Sequence, residues 1–403
     1  MARRMIAFTQ RLFAEIRQLP RAVFVLVGGQ FLNRFGSFVM PFLTLFLTGR
    51  GISLGEVAAV LGAMSVGGLF GPFVSGYLAD AIGRRNTIVV SLVTSASSLL
   101  LLYACRTLPQ LMVVSAIHGF CAFLYGPAAN ALLTDLVTKE QRVIAFALMR
   151  LAVNAGFSAG PAVAGFLFSR SPLWIFVGDA LTTFGFALFA VLWLPHGLRT
   201  VEGRAAASRV IWQSWREALA DVAANRRFLQ YLAGLLFMAA AFVQVFNVLA
   251  VNSVDRGLSP AAYGVVMGFN GFLIMIFELP LNQWVRRYSL RHVLVVGYAL
   301  TGIGCATFGL AETMRGFLGA MALFTLGEML SLPIGTSYGG ELAPEKYRGR
   351  YFGLSGTVWS IAGLLGSSGV WIYGRLGPSW WFLAGASGVA GALVMLPRLR
   401  GRE

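Results

Sequence analysis

The chain has 403 residues, 57% of them hydrophobic and only 12% charged, with a mean hydropathy of +0.73. Soluble domains are about one-quarter charged, so this composition excludes an ordinary soluble protein and points to one embedded in a bilayer. A net charge of +16 would suggest nucleic acid if the basic residues formed one face, but they fall in alternate connections between apolar runs. No nucleic-acid partner is therefore expected.

The apolar runs are long and continuous, without the alternation of polar and apolar residues that a membrane β-barrel needs. A helical span takes about 20 residues, which leaves room for roughly a dozen. Residues 1–21 carry Arg3, Arg4, Arg11 and Arg17 between Met5, Phe8, Leu12, Phe13 and Ile16 at helical spacing. They read as an amphipathic helix on the membrane surface. They lack the compact apolar core and small-residue cleavage site of a targeting signal. Spans follow near 22–48, 55–81, 87–105, 109–134, 143–169 and 172–195, forming a first bundle over 22–195.

Residues 196–227 are the one long polar connection. Val210, Ile211, Trp215, Leu219 and Val222 recur there at helical spacing opposite Arg209, Arg216, Glu217 and Asp221. This predicts an interfacial helix that tethers the bundles without fixing them. Further spans fall near 228–252, 260–285, 292–311, 314–339, 350–374 and 378–397, a second bundle over 228–397, with a tail at 398–403. The fold class is thus all-α integral membrane, with twelve transmembrane helices.

The two bundles are copies. Shifting the first by 206 residues lays Gly49-Arg50-Gly51-Ile52-Ser53 on Asp255-Arg256-Gly257-Leu258-Ser259, and Pro127 on Pro333. The same shift lays Asp135 on Glu341, Arg142 on Arg348, Gly160 on Gly366 and Trp174 on Trp380. One offset across six spans means a duplicated six-helix unit in parallel orientation. Such halves imply alternating access to a small-molecule substrate held near the midplane, an argument by analogy of fold. Twenty-four of the 32 Lys and Arg lie at the termini and the even-numbered links, against six in the other loops. Both termini are therefore expected in the cytoplasm.

Chemistry-bearing motifs are few. Cys105, Cys121 and Cys305 have no CxxC spacing and the histidines form no HExxH, so neither metal nor cofactor is expected. Gly156–Gly160 and Gly335–Gly339 match GxSxG without the strand-turn-helix that motif requires, and Gly385-Ala386-Ser387-Gly388 has no following histidine to act as base. The chain is not read as an enzyme.

Between spans 2 and 3 lies Gly76-Tyr77-Leu78-Ala79-Asp80-Ala81-Ile82-Gly83-Arg84-Arg85-Asn86. This stretch resembles the signature loop of the major facilitator superfamily. Span 5 carries Gly156-Phe157-Ser158-Ala159-Gly160-Pro161-Ala162-Val163-Ala164-Gly165, similar to the GxxxGPxxGG signature of that superfamily's drug:proton antiporters, with Ala164 replacing one glycine. The resemblance implies that Asp80 latches the first bundle against the start of span 11, near Arg348 and Arg350. The latch set is then Gly76, Asp80, Gly83, Arg84, Arg85, Asp135, Arg142, Arg150, Glu341 and Arg348. Gly156 and Gly160 permit close helix approach, and Pro161, with Gly165 beyond it, bends the helix. The resemblance implies that this bend seals the outward path.

Ionisable residues inside spans each cost ~2.5–3.5 kcal/mol at the midplane, so they mark function. Arg34, Arg150, Asp179, Glu278 and Glu328 are such residues. Glu328, Asp179, Glu278 and Arg34 are the candidates for proton coupling. Glu328 is the best placed, and its repeat mate is Ala122. A structural ion pair of Glu328 with Arg34 or Arg150 is the alternative. The antiporters' span-4 arginine is replaced here by Ser115, which leaves Arg34 as the substitute intramembrane cation and His118 as a packing residue or a titrating one. Candidate substrate contacts are Phe31, Asn33, Tyr125, Asn154, Phe246, Asn247, Asn270 and Trp359. They suit a hydrophobic or amphipathic molecule better than a sugar.

The sequence thus reads as a proton-coupled exporter in the plasma membrane, working as a monomer, with protons and lipid as its partners. A metabolite facilitator or importer without proton antiport, and a lipid flippase or transporter-like receptor, are the alternatives.

Overall fold

The computed structural model describes residues 15–138, 141–196, 216–217, 219–285, 287–344 and 347–396, the side chains at 73, 76, 80, 143, 348 and 349 excepted. The amphipathic segment expected before residue 15 and the tail after 396 lie outside those residues. The first bundle comprises α1 (Arg21–Phe35), α2 (Val39–Thr48), α3 (Leu54–Ile82), α4 (Arg84–Ala104), α5 (Leu108–Phe123), α6 (Tyr125–Leu136), α7 (Arg142–Arg170) and α8 (Pro172–Trp193). The second comprises α9 (Arg226–Phe242), α10 (Gln244–Asn247), α11 (Leu249–Asp255), α12 (Pro260–Val285), α13 (Leu290–Phe308), α14 (Met314–Leu342), α15 (Arg348–Leu376) and α16 (Trp380–Met395).

Among the described residues there is no strand. Hydrocarbon offers the backbone no hydrogen bonds, so an apolar chain must satisfy them within helices. Eleven stretches of the described residues are long and apolar enough to cross a membrane. The last, Arg350–Met395, runs for 46 residues and contains both α15 and α16, parted where Gly377 takes a φ of 55°.

Helix starts repeat the internal duplication. Leu54 and Pro260, Arg84 and Leu290, Leu108 and Met314, and Arg142 and Arg348 are starts separated by 206 residues (260 − 54, 290 − 84). Gly51 and Gly257, mates under that offset, both turn the chain with positive φ, 79° and 85°. A side chain would strain either position. Ser53 then caps α3, its side chain and that of Glu56 each bonding the other's backbone N–H.

Three spans are interrupted where the sequence suggested single helices. The first breaks at Gly36–Phe38, the fourth at Leu124, and the seventh at Val243 and Val248. The described part of the linker, 216–217 and 219–224, is helical. It docks on α15, with Tyr351 donating to Asp221 at 2.5 Å and Tyr347 to Glu217 at 3.2 Å, while Val222 is buried. Tyr351 of α15 and Tyr347 just before it thus hold this part of the linker against the second bundle.

Within each bundle, glycines let backbones touch. A Cβ on Gly119 of α5 would overlap the Met64 carbonyl oxygen of α3, and one on Gly304 of α13 would stand 2.5 Å from the α14 backbone at Phe324. Two seams join the bundles, α7 against α12 and α3 against α15, with α2 against α10 and α11 between them. The tight contacts gather toward the arginine-poor face. A Cβ at Gly165 would lie 2.6 Å from the Pro260 carbonyl, and one at Gly374 would lie 2.8 Å from Leu54 Cδ1. Tyr263 donates to the Pro41 carbonyl and Thr44 to the Asn247 carbonyl, each at 3.0 Å. The bundles are therefore closed at that face.

Overpacking a tight glycine contact costs about 1–3 kcal/mol. Gly119→Val is expected to lower the melting temperature in detergent by several degrees, whereas Gly28→Ala, where a Cβ meets nothing within 4 Å, leaves it unchanged or raised. Equal melting curves for the two variants would contradict the packing of α3 on α5.

Candidate functional site

The α7–α12 seam is antiparallel, and its glycines set its register. Going along α7 from Gly165 toward its start, the facing residues of α12 run from Pro260 through Gly264, which meets Pro161, to Gly268 and Gly271, which meet Ser158. Two turns further, this register brings Arg150 of α7 to Glu278 of α12. They form an ion pair, and Asn154, one turn along α7, donates to the other oxygen of Glu278 at 3.3 Å. The glutamate side chain is 8% exposed and that of the arginine 50%. An isolated charge at that depth would be costly, and the pairing is what permits it.

Glu328 enters the same space from α14. Its Oε2 accepts a hydrogen bond from Asn270 Nδ2 at 2.8 Å, and the same amide donates to Thr325 at 2.9 Å. Thr325 lies three residues before Glu328, on the same helix face. Between the two acids is a cavity of about 60 Å³ lined by Arg150, Asn154, Ile274, Glu278, Glu328 and Met329. It has room for a few waters and falls far below the ~300–1,000 Å³ of an organic-ligand pocket. Two carboxylates and one guanidinium thus share one small polar chamber between the bundles.

Asp179 is elsewhere. Buried in α8, its Oδ2 accepts from the Val39 N–H at 3.1 Å and its Oδ1 from Thr183 at 3.5 Å. It caps the N-terminus of α2 across the break in the first span, a backbone-satisfying role. Arg34 sits where α1 crosses α7, since a Cβ on Gly156 would stand 2.9 Å from Arg34 Cβ. The residue is nonetheless exposed. Among the described residues it pairs with no acid.

The proposed substrate contacts divide. Asn154 joins the chamber, and Asn270 is committed to Glu328 and Thr325. Phe246 and Trp359 belong to an aromatic chain crossing the bundles, Phe157 to Phe246 at 5.9 Å, Phe246 to Phe242 at 5.6 Å and Phe242 to Trp359 at 5.3 Å between centroids. Asn247 accepts from α2 through its carbonyl. Asn33 donates to Thr183 at 3.2 Å, Phe31 is exposed, and the buried Tyr125 hydroxyl has no partner among the described residues.

The loop arginines stay within the first bundle. Arg84 pairs with Asp135 and donates to the Ala131 carbonyl at 2.9 Å, tying α4 to α6. Arg85 donates to the carbonyls of Val191 and Leu194, each at 3.4 Å, at the end of α8. The side chains of Gly76, Asp80 and Arg348 lie outside the described residues, and Gly83 takes a φ of 92° between α3 and α4. Arg142 Nε has no partner among the described residues, and Glu341 is exposed. In the span-5 motif, a Cβ on Gly160 would overlap the Phe35 carbonyl and one on Gly165 meets α12, while α7 continues through Pro161. His118 is buried and hydrogen-bonded to Ser98 at 3.0 Å, and the Ser115 hydroxyl is buried without a partner among the described residues.

Sequence reasoning missed Thr325, Ile274 and Met329. The i, i+3 relation of Thr325 to Glu328 was the available signal; the apolar pair carries none.

A family model described as Major Facilitator Superfamily matches residues 26–367 and 232–402. The Na(+), Li(+), K(+)/H(+) antiporter of Planococcus maritimus is 25% identical over 394 residues, covering 89% of this chain and 90% of that protein. The multidrug resistance protein MdtH of Klebsiella pneumoniae (strain 342) is 25% identical over 309 residues, 76% of this chain and 73% of that protein. Among solved structures, a mutant of the nucleoside transporter NupG superposes with a TM-score of 0.78 at 16% identity, over 93% of this chain and 99% of that one.

Removing one member of a buried ion pair costs about 3–5 kcal/mol, because the other charge is left unpaired. Arg150→Met is expected to lower thermal stability in detergent markedly, and Arg150→Met with Glu278→Met to recover most of that loss. A double variant as unstable as the single one would show that the pair does not hold the seam.

Proposed function

This chain belongs to the major facilitator superfamily and is a multi-pass secondary transporter, and from that premise we propose that it couples proton movement through Glu328 to export of a hydrophobic or amphipathic cation. One observation carries the reading. Glu328 stands in a chamber between the bundles, bonded to the neutral Asn270, while the arginine beside it is engaged by Glu278. With Glu328 protonated, the chamber is neutral, since Arg150 and Glu278 cancel. Loss of the proton leaves one excess negative charge in a medium of low dielectric constant. That charge is satisfied by a cationic substrate, by Arg150 turning from Glu278, or by another proton. The second outcome ties the charge of Glu328 to the seam that closes one face.

In this reading the arginine-rich face is cytoplasmic and the membrane is the plasma membrane. A single copy contains both bundles and suffices for the cycle. The substrate binds beside Arg34, and Phe31 and Asn154 contact it. Glu278 acts as the structural counter-ion of Arg150, Asp179 as a cap, and Asp80 as the latch on span 11.

A second reading is exchange of a small inorganic cation for protons. The chamber is of ionic rather than organic size, and Thr325 and Glu328 present oxygens beside one another. The Planococcus maritimus antiporter, similar over most of this chain, favours it too.

The test uses proteoliposomes with an imposed pH gradient. The wild type is expected to accumulate a fluorescent organic cation, and Glu328→Gln to lose gradient-driven accumulation at least about tenfold while retaining exchange of labelled for unlabelled cation. Undiminished gradient-driven transport by Glu328→Gln would remove the coupling role. Collapse of the gradient on adding sodium or potassium alone, with no organic cation moved, would favour the second reading.

A further inference from the structure

Away from the seams, the arginine-poor ends of α2, α4, α7 and α8 enclose a cavity of about 250 Å³. Leu45, Phe46, Tyr103, Phe168 and Pro172 wall it, and Arg50 stands among them. Arg50 lies just beyond α2, its Cζ 4.2 Å from the Phe46 ring centroid and 5.0 Å from that of Tyr103. Its Nη1 donates to the Cys105 carbonyl at 3.0 Å and its Nη2 to the Tyr103 carbonyl at 2.7 Å. A guanidinium has five N–H donors, so donors remain for a further acceptor. Among the described residues no carboxylate pairs with it. The nearby acid in the chain, Glu56, spends Oε2 on the Ser53 N–H and hydroxyl at 3.0 and 2.7 Å.

The second bundle displays the neutralised version of this corner. Arg256, the repeat mate of Arg50, pairs with Glu312 at 3.0 Å and donates to the Gly309 carbonyl at 3.0 Å. The mate of Glu312 is Arg106 (312 − 106 = 206), and the register is secured by Thr107 and Thr313, which occupy the N-cap positions of α5 and α14. Where one bundle has an arginine and a glutamate, the other has two arginines. Burial first, and then the charge of Arg106, depress the Arg50 pKa, so its cationic form lacks a compensating anion. An anion between the two guanidinium groups would relieve both effects.

The walls decide which anion. A water-soluble ion would leave the aromatic and aliphatic surface unfilled, whereas burying an acyl chain gains about 0.8 kcal/mol per methylene. A zwitterionic headgroup would bring its own cation to two arginines. The corner also lies at the level where the spans end, since α2 stops at Thr48 and α5 begins at Leu108. We infer that this cavity seats one anionic phospholipid from the leaflet at the arginine-poor face, its phosphate on Arg50 and Arg106 and an acyl chain along Phe46, Tyr103 and Phe168. The lipid would brace α2, which is bonded to the second bundle through Pro41 and Thr44. The seat is independent of what the protein carries.

The test is native mass spectrometry of the full chain, delipidated and titrated with phosphatidylglycerol or phosphatidylcholine. Wild type is expected to retain one more phosphatidylglycerol than Arg50→Gln or Arg106→Glu, with equal phosphatidylcholine counts in all three. Lipids on the arginine-rich face are common to the variants and cancel in the difference. Arg106→Glu recreates the pairing of the second bundle, so its melting temperature without lipid should equal or exceed wild type, which separates loss of the seat from misfolding. Identical phosphatidylglycerol counts in wild type and Arg106→Glu would overturn the proposal. So would displacement of the extra lipid by millimolar inorganic phosphate, which would identify a free-anion site.

Discussion

The seam between α7 and α12 is the contact on which the arrangement depends. Lipid tails are as apolar as leucine, so there is no hydrophobic gain in pressing two membrane helices together. Close backbone approach must supply the attraction instead, and glycines supply the approach at Gly165, Gly264, Gly268 and Gly271. Once those four contacts fix the register, Arg150 and Glu278 face each other across the seam. The ion pair is a consequence of the packing, and the chamber beside Glu328 is a consequence of the ion pair.

Duplication explains the frame, and the departures from it locate the chemistry. The paired helix starts and the paired glycine turns at Gly51 and Gly257 show two copies folded by the same local rules. Among the positions where the copies differ in charge are Glu328 against Ala122, Asp80 against Arg286, and Glu312 against Arg106. A charge present in one copy only answers to something that copy alone contains. For Glu328 that is the chamber, and for Arg106 the cavity beside Arg50.

Much of the fold was legible in the sequence because the bilayer leaves few solutions. Apolar run length marks the spans, and a constant offset marks the repeat. The breaks in the first, fourth and seventh spans were not legible. They depend on groups brought together only by packing, as when Asp179 of α8 accepts from Val39, 140 residues away. For the same reason Asp179 looked like a proton carrier when read alone and like a cap once its neighbours were placed. The charged residues and asparagines of the chamber were named from sequence, but Thr325 and the pairings were not. An ion pair of Arg150 with Glu328 and one with Glu278 are equally natural until the register of two antiparallel helices is known.

The loop between α3 and α4 shows how a signature can be mechanically loaded from inside its own bundle. Arg84 is held by Asp135 and Ala131 and Arg85 by the end of α8, so the two cations clamp α4 to α6 and α8. A latch to the other bundle has to be carried by a group that these clamps leave available. Were the arginines free to neutralise Asp80, the latch on α15 proposed for it would be cancelled locally. By committing them to Asp135 and to backbone carbonyls, the bundle ties α4, α6 and α8 into one unit. Rigidity within a half is what allows a change of charge at the seam to become a displacement of the whole half, because a bundle that yielded internally would absorb it.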